Sequence, residues 1–295
     1  MRHLWHLVFI LSMAFCTPLL AQMSRLRVIA IGAHPDDCED KFAGTAVKLV
    51  KAGHAVKFLS LVNGDAGHQV EGGGALARRR YAETQESARR LGISVYEVLE
   101  NHDGELLPTL NVRKQIIRAI RQWNADIVLA PRPNDYHPDH RYASMLVQDA
   151  AYLVMVPNIV PDVPPLRKNP VFLYYQDEFQ KPAPFHPDVV VAIDDVWNTK
   201  IDALDAHVSQ VYEWLPWIDG NLEKVPKDAA ARKKWLAATC NDSGDCTDRI
   251  TPAVREALVQ RYGAQAEQFT HAEAFELCEY GRRPSIEELQ QMFPK

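Results

Sequence analysis

Short apolar runs that are rich in β-branched residues alternate with helical segments through the first two thirds of the sequence. This alternation predicts βαβ units, in which right-handed crossovers place helices on both faces of a mainly parallel sheet. We therefore predict an α/β fold, a Rossmann-like three-layer sandwich. The predicted strands are residues 25–33, 54–62, 95–99, 126–130, 171–175 and 189–193, and the predicted helices are residues 40–52, 75–91, 112–123, 139–154 and 196–212.

The rest of the sequence divides the chain into three parts. Residues 1–21 are predicted to be a signal peptide, residues 22–212 the α/β core, and residues 213–295 a helical C-terminal extension packed on that core. Within the extension, the sequence from Thr251 to Phe293 looks helical, with Pro252 near its start.

The N-terminus has the features of a secretory signal. Arg2 is the only charged residue before position 25, and an apolar run over residues 7–15 is followed by Pro18 and Ala21. These features predict export with cleavage after Ala21; the alternative is an uncleaved anchor. We expect a periplasmic or secreted protein with no stable membrane insertion after signal removal, because no later segment looks transmembrane.

Charge and cysteine content narrow the possible partners. The net charge is −5 at pH 7, and no Lys/Arg-rich stripe with interleaved aromatic residues is present, so nucleic acid is a poor candidate partner. Cys240 and Cys246 bracket a polar turn. In an oxidising compartment a small disulfide loop is plausible; the alternative is two free thiols. The sequence does not predict the oligomeric state.

Two polar clusters follow predicted strands, at the points where those strands end. Residues 33–37 read AHPDD and residues 136–140 read YHPDH. A single His-Pro-Asp can simply stabilise a turn, but the carboxyl ends of parallel strands share one edge of the sheet, where ligands bind. Two His and one carboxylate are a common catalytic zinc set, which leaves a position for water. The clusters therefore predict a Zn²⁺ site, although iron or manganese could use the same ligands.

These clusters resemble those of the PIG-L/LmbE-like N-deacetylases. AHPDD and HPDH are the most specific parts of a resemblance that runs roughly over residues 26–212. Where the family often has Glu after the second Asp, this chain has Cys38, which we expect to pack as a small residue. Weaker matches are the loop at residues 63–67, Arg80 with Glu83, Asp103, and a later helix with Lys200, His207, Ser209 and Gln210.

The resemblance implies a zinc centre with a neighbouring base. His34, Asp37 and His140 would be the zinc ligands. Asp36 would be the general base that takes a proton from water.

Four further residues receive roles from the same resemblance. His137 would stabilise the oxyanion or act as an acid, and Asp139 would hold a ligand or His137 in its orientation. Arg80 and Asp103 would contact substrate hydroxyls. The alternative for Arg80 is a salt bridge with Glu83.

The implied activity is zinc-dependent removal of an acetyl group from an N-acetylated sugar, of the N-acetylglucosamine type, or from a related amide. The substrate would be a small molecule or a glycan. The alternatives are a zinc hydrolase of another amide or ester and a non-catalytic carbohydrate-binding protein. A dinucleotide-dependent enzyme is disfavoured because no G-x-G-x-x-G turn follows the first strand. Trp214 and Trp217 could line a sugar-binding cleft, but we favour packing in the core.

Overall fold

One seven-stranded sheet forms the centre of the computed structural model, which describes residues 25–243 and 248–295. Its strands are β1 (Arg27–Gly32), β2 (Ala55–Val62), β3 (Val95–Asn101), β4 (Ile127–Ala130), β5 (Val171–Tyr175), β6 (Val189–Ala192) and β7 (Ala272–Gly281). They lie in the order β3-β2-β1-β4-β5-β7-β6. Strands β1 to β5 pair in parallel, whereas β7 is antiparallel to β5 and β6. The predicted α/β fold with a mainly parallel sheet is confirmed.

Helices cover both faces of this sheet. They are α1 (Asp37–Lys51), α2 (Gly73–Leu91), α3 (Leu110–Trp123), α4 (Pro138–Leu153), α5 (Trp197–Leu204), α6 (Leu215–Ile218), α7 (Ala229–Ser243), α8 (Pro252–Tyr262) and α9 (Ile286–Gln291), with a π-helix at Gln210–Trp214 and 3-10 helices at Leu222–Lys224 and Gly263–Gln268. One apolar core lies under α1, α2 and α5, and a second lies under α3 and α4. No helix in the described ranges is long and apolar enough to cross a membrane.

The turn from β1 into α1 brings the first polar cluster to the edge of the sheet. Gly32 ends β1, and a Cβ at this position would lie 2.6 Å from Asp37 Cβ. Because glycine has no side chain, the start of α1 can close tightly against the end of the strand. Residues 34–37 therefore project at the carboxyl end of β1, beside the end of β4.

The C-terminal part differs from the prediction. The expectation of helix from Thr251 to Phe293 is wrong between Ala272 and Gly281, where β7 lies inside the sheet between β5 and β6. The predicted helix over residues 196–212 is also interrupted, because α5 ends at Leu204 and the π-helix begins at Gln210. The division at residue 212 stays a prediction.

Two predictions fall on residues outside the described part of the chain. The signal peptide over residues 1–21 is one of them. The other is the disulfide, because Cys240 lies on α7 but Cys246 is outside the described residues.

Candidate active site

The two His-Pro-Asp clusters meet at the carboxyl ends of β1 and β4. His34 follows β1, and α4 begins directly after His137. The His137 side chain caps α4, since its Nδ1 accepts a hydrogen bond from the Asp139 backbone N–H at 3.2 Å. Pro138 occupies the first position of α4, where its missing N–H costs nothing. Local helix-start chemistry thus fixes the second cluster against the first.

Three side chains converge with the spacing of metal ligands. His34 Nδ1 lies 3.0 Å from His140 Nε2, which lies 3.4 Å from Asp37 Oδ1. Asp37 Oδ2 lies 3.7 Å from His34 Nδ1. Ligand atoms held tetrahedrally at zinc distances are about 3.4 Å apart. The nitrogens of His34 and His140 and the carboxylate of Asp37 therefore lie close enough to share one zinc-sized cation, and one ring nitrogen of His137 lies within 4.8 Å of ligand atoms of both histidines.

The electrostatics of this group favour a cation. The Ala33 and His34 backbone N–H groups donate to Asp37 Oδ2 at 2.7 and 2.9 Å, which fixes the carboxylate in place. Although burial opposes charge on His140, the Asp37 and Asp135 carboxylates raise its pKa to about 9. The same negative potential stabilises a bound divalent ion.

Two further carboxylates contact the second ring nitrogen of His34. His34 Nε2 lies 3.2 Å from Asp103 Oδ1 and 3.5 Å from Asp139 Oδ2. Asp139 also accepts hydrogen bonds from the Gly104 and Leu106 backbone N–H groups, at 2.8 and 3.2 Å. Asp139 therefore joins α4 to the loop after β3, which carries Asp103.

Asp135 is a site residue that the sequence interpretation missed. His140 Nδ1 lies 3.0 Å from Asp135 Oδ1, which also accepts the His137 backbone N–H at 2.9 Å. A carboxylate on the second nitrogen of a ligating His fixes the ring and its tautomer. Its position directly before the second cluster, two residues ahead of His137, was the available signal.

Asp36 lies beside the ligand group and is held by Arg80. Arg80 Nη2 lies 3.3 Å from Asp36 Oδ1, and Nη1 lies 3.5 Å from Asp103 Oδ2. Burial raises the pKa of Asp36 to about 6, although the Arg80 guanidinium acts in the opposite direction. A carboxyl with a pKa in this range can accept a proton near neutral pH.

The buried Arg80 guanidinium links the loop after β1 to the loop after β2. Its side chain is 2% exposed. Arg80 donates to the Gly64 and Pro35 carbonyl groups, both at 3.3 Å. The alternative salt bridge with Glu83 is not formed, because Glu83 accepts from the Ser209 backbone N–H and hydroxyl. Direct contact of Arg80 and Asp103 with substrate hydroxyls stays a prediction.

His137 is positioned as a neutral hydrogen-bond donor. Burial, together with His34 and His140, lowers its pKa. Since Nδ1 accepts the Asp139 N–H, the bonding pattern assigns the ring proton to Nε2. The His137 and His34 ring centroids are 4.5 Å apart, so this proton lies beside the ligand group.

Comparison with known proteins places the chain in a family. Residues 29–151 match the PIG-L family, described as GlcNAc-PI de-N-acetylase. Over 204 residues the chain is 35% identical to the diacetylchitobiose deacetylase of Thermococcus kodakarensis, a match that spans 65% of this chain and 73% of that protein. The chain belongs to the PIG-L family.

Solved structures agree with this membership. The N,N'-diacetylchitobiose deacetylase of Pyrococcus horikoshii is similar with a TM-score of 0.61 and 26% identity, covering 85% of this chain and 83% of that one. The 4-carboxy-2-hydroxymuconate hydratase GalB of Pseudomonas putida shares the fold at 18% identity and a TM-score of 0.60, covering 88% and 97% of the two chains. Because the PIG-L fold also occurs in a hydratase, the reaction must be argued from the site residues.

In this PIG-L chain, the later helix motif holds the site together. Lys200 Nζ donates to the Asp40 carbonyl at 2.7 Å, and His207 Nε2 lies 2.9 Å from Glu39 Oε1. Gln210 Nε2 donates to the Gly67 carbonyl at 3.1 Å. These contacts tie α5 and the chain that follows it to α1 and to the loop after β2, so the motif has a structural role.

Of the two tryptophans beyond this motif, Trp214 is half-buried and Trp217 is exposed. Trp217 is 50% exposed, so the expectation that it packs in the core is wrong.

Cys38 is fully buried with its Sγ 3.4 Å from the Ala30 carbonyl oxygen, as expected for a packed small residue.

Proposed function

We propose that this chain is a metal-dependent hydrolase that removes the acetyl group from an N-acetylated sugar of the N-acetylglucosamine type. The observation that carries the proposal is the convergence of His34, His140 and Asp37 within 3.7 Å of one another, with Asp36 alongside. The sugar substrate is supported by two relatives whose names describe them as diacetylchitobiose deacetylases.

His34, Asp37 and His140 would hold Zn²⁺ or another divalent metal. Such a cation polarises an acetamide carbonyl and makes water more acidic. The acetyl group would lie over this donor set, with its carbonyl oxygen toward His137.

Asp36 takes a proton from the attacking water, and the water oxygen forms a bond to the acetyl carbon. The Arg80 guanidinium, 3.3 Å from Asp36 Oδ1, keeps this carboxylate in position. The C–N bond then breaks and the proton passes from Asp36 to the sugar nitrogen. Acetic acid and the free amine are the products, and at neutral pH they ionise to acetate and the protonated amine, so atoms and charges balance.

His137 stabilises the negative charge that develops on the acetyl oxygen. Its Nε2 proton is available because Nδ1 is occupied by the Asp139 N–H. A donor aimed at a developing oxyanion contributes more to the transition state than to the ground state. Asp103, held 3.5 Å from Arg80 Nη1, is the proposed partner of the sugar hydroxyls together with Arg80.

Metal analysis followed by acetate release tests this function. We expect about one divalent ion per chain, as a single donor set implies, and acetate release from N-acetylated sugars that stops with chelator and returns with added metal. Release only from simple acyl-amines or esters would instead support a non-sugar hydrolase. A protein that binds sugar and metal without releasing acetate would be the non-catalytic alternative.

A further inference from the structure

A stacked aromatic pair, of which Trp214 is half-buried and Trp217 is exposed, borders the candidate site. The Trp214 and Trp217 rings are stacked, with centroids 5.5 Å apart and planes at 15°. Trp217 is 50% exposed, and the neighbouring Leu215 and Ile218 are exposed as well. Large apolar side chains that remain uncovered as a group mark a binding surface more often than isolated ones do.

This pair is continuous with the site. A Cβ built on Gly67 would lie 3.1 Å from Asp103 Oδ2 and 3.8 Å from Trp214 Nε1. Gly67 therefore separates the Trp214 indole from the Asp103 carboxylate by little more than the width of one side chain. The Trp214 indole N–H makes no hydrogen bond to any other residue that the structure describes.

The backbone that carries the pair is fixed against the loop beside the site. Glu213, in the π-helix, accepts two hydrogen bonds from Arg79, at 2.9 and 2.6 Å. His68 Nε2 lies 2.9 Å from Glu213 Oε2. A π-helical turn is uncommon and frequently occurs at functional sites. These contacts fix the backbone next to Trp214, on which the Trp217 ring is stacked.

We propose that Trp214 and Trp217 form a subsite for the sugar ring adjacent to the ring that loses its acetyl group. This inference rests on the proposed deacetylase function and adds that the substrate contains at least two sugar rings. The flat indole face covers the C–H face of a pyranose ring, and the Trp214 N–H donates to a ring hydroxyl or to an acetamide oxygen.

Kinetics with two substrates test the subsite. For Trp217→Ala we expect the ratio of kcat/KM for N,N'-diacetylchitobiose to kcat/KM for N-acetylglucosamine to fall about tenfold, mainly through KM for the disaccharide. Trp217→Phe should restore most of that ratio because it retains an aromatic face. Tyr152→Ala is the matched control, because Tyr152 is 74% exposed at the far end of α4.

Binding of chitobiose, which has no acetyl group to lose, separates this inference from the deacetylase proposal. We expect chitobiose to quench tryptophan fluorescence in the wild-type protein and Trp217→Ala to weaken this binding about tenfold. Equal binding by both proteins would overturn the subsite, whatever the acetate assay gives. If Trp217→Ala weakened binding of an octyl glycoside of N-acetylglucosamine more than binding of the disaccharide, the surface would be a site for an apolar aglycone. That result would overturn the sugar-subsite proposal.

Discussion

Asp36 and Asp37 are adjacent in the sequence, yet their surroundings give them different chemistry. Asp37 accepts hydrogen bonds from two backbone N–H groups and faces both imidazole ligands. Although burial acts in the opposite direction, the His140 and His34 side chains hold the pKa of Asp37 well below its usual range. Asp36 meets Arg80 at 3.3 Å and stays beside the donor set. One carboxylate is thus suited to bind a cation permanently and the other to exchange a proton.

Substitution at position 36 should separate these roles. We expect Asp36→Asn to retain near-normal metal content and to lower kcat by roughly a hundred- to ten-thousand-fold, because the amide cannot accept the water proton. His140→Ala should lower metal content itself. Metal analysis beside acetate-release kinetics checks both variants, and most of the activity surviving in Asp36→Asn would rule out Asp36 as the base.

Asp135 should act on the metal through His140. We expect Asp135→Asn to weaken metal affinity about 10- to 100-fold, because the ring loses the carboxylate that orients its ligand nitrogen. Activity should fall at limiting metal and recover at saturating metal, which a metal titration of acetate release measures. Asp149→Asn, an exposed change later on α4, should not move this titration. Unchanged metal affinity in Asp135→Asn would show that His140 needs no such partner.

At the scale of elements, a buried carboxylate joins four segments of the chain. Glu39 on α1 accepts from the Ser87 hydroxyl on α2 at 2.5 Å and from the Tyr96 hydroxyl on β3 at 3.1 Å, and it pairs with His207. Both Glu39 and His207 are completely buried. Removal of the Glu39 carboxylate would leave its hydrogen-bonding partners without their acceptor in a low-dielectric interior.

We therefore expect Glu39→Ala to lower the free energy of unfolding by about 3–5 kcal/mol. Arg89→Ala, which breaks the exposed pair with Glu86 on α2, should leave stability unchanged within measurement. Urea unfolding of both variants makes the comparison. A loss for Glu39→Ala as small as that for Arg89→Ala would mean that the network contributes little to holding α1, α2 and β3 together.

The elements also explain which parts of the structure the sequence could predict. The central strands were predictable because parallel strands buried on both faces are continuous apolar runs. Their shared edge brought His34 and His140 together, although 106 residues separate them. The pairing of His68 and Arg79 with Glu213 could not be predicted. His68 lies in the loop after β2 and Arg79 on α2, and no local sequence pattern relates either residue to the distant Glu213.

Strand β7 was missed for a different reason. Residues 272–281 contain two Ala, three Glu and one Leu, which favour helix in isolation. Glu273 is fully buried, yet it accepts from the Gly44 and Thr45 N–H groups at 3.0 and 2.7 Å and from Lys200 at 3.1 Å. These partners are distant in sequence, so tertiary contacts override the local preference and satisfy a carboxylate that looked like a surface residue.

For the whole molecule, β7 decides whether the C-terminal part is an appendage or belongs to the core. It occupies the position between β5 and β6, and Phe275 packs in the same apolar core as Phe42 and Phe58 of α1 and β2. Leu289 and Phe293, further along the chain, fill that core as well. Each large buried side chain contributes about 2 kcal/mol, against a total stability of about 5–15 kcal/mol for a typical domain.

Deletion of residues 270–295 should therefore abolish folding, because β5 and β6 would each be left with an unpaired edge and the core with an open face. We expect this truncation to aggregate and to show no cooperative thermal transition. Deletion of residues 1–21, the proposed export signal, is the matched control and should leave the transition unchanged; N-terminal sequencing of the exported protein checks the proposed cleavage after Ala21. If the chain without residues 270–295 melted cooperatively and still bound metal, the α/β core would be independent of its C-terminal part. The central sheet would then tolerate the loss of an internal strand, which its hydrogen-bond pattern argues against.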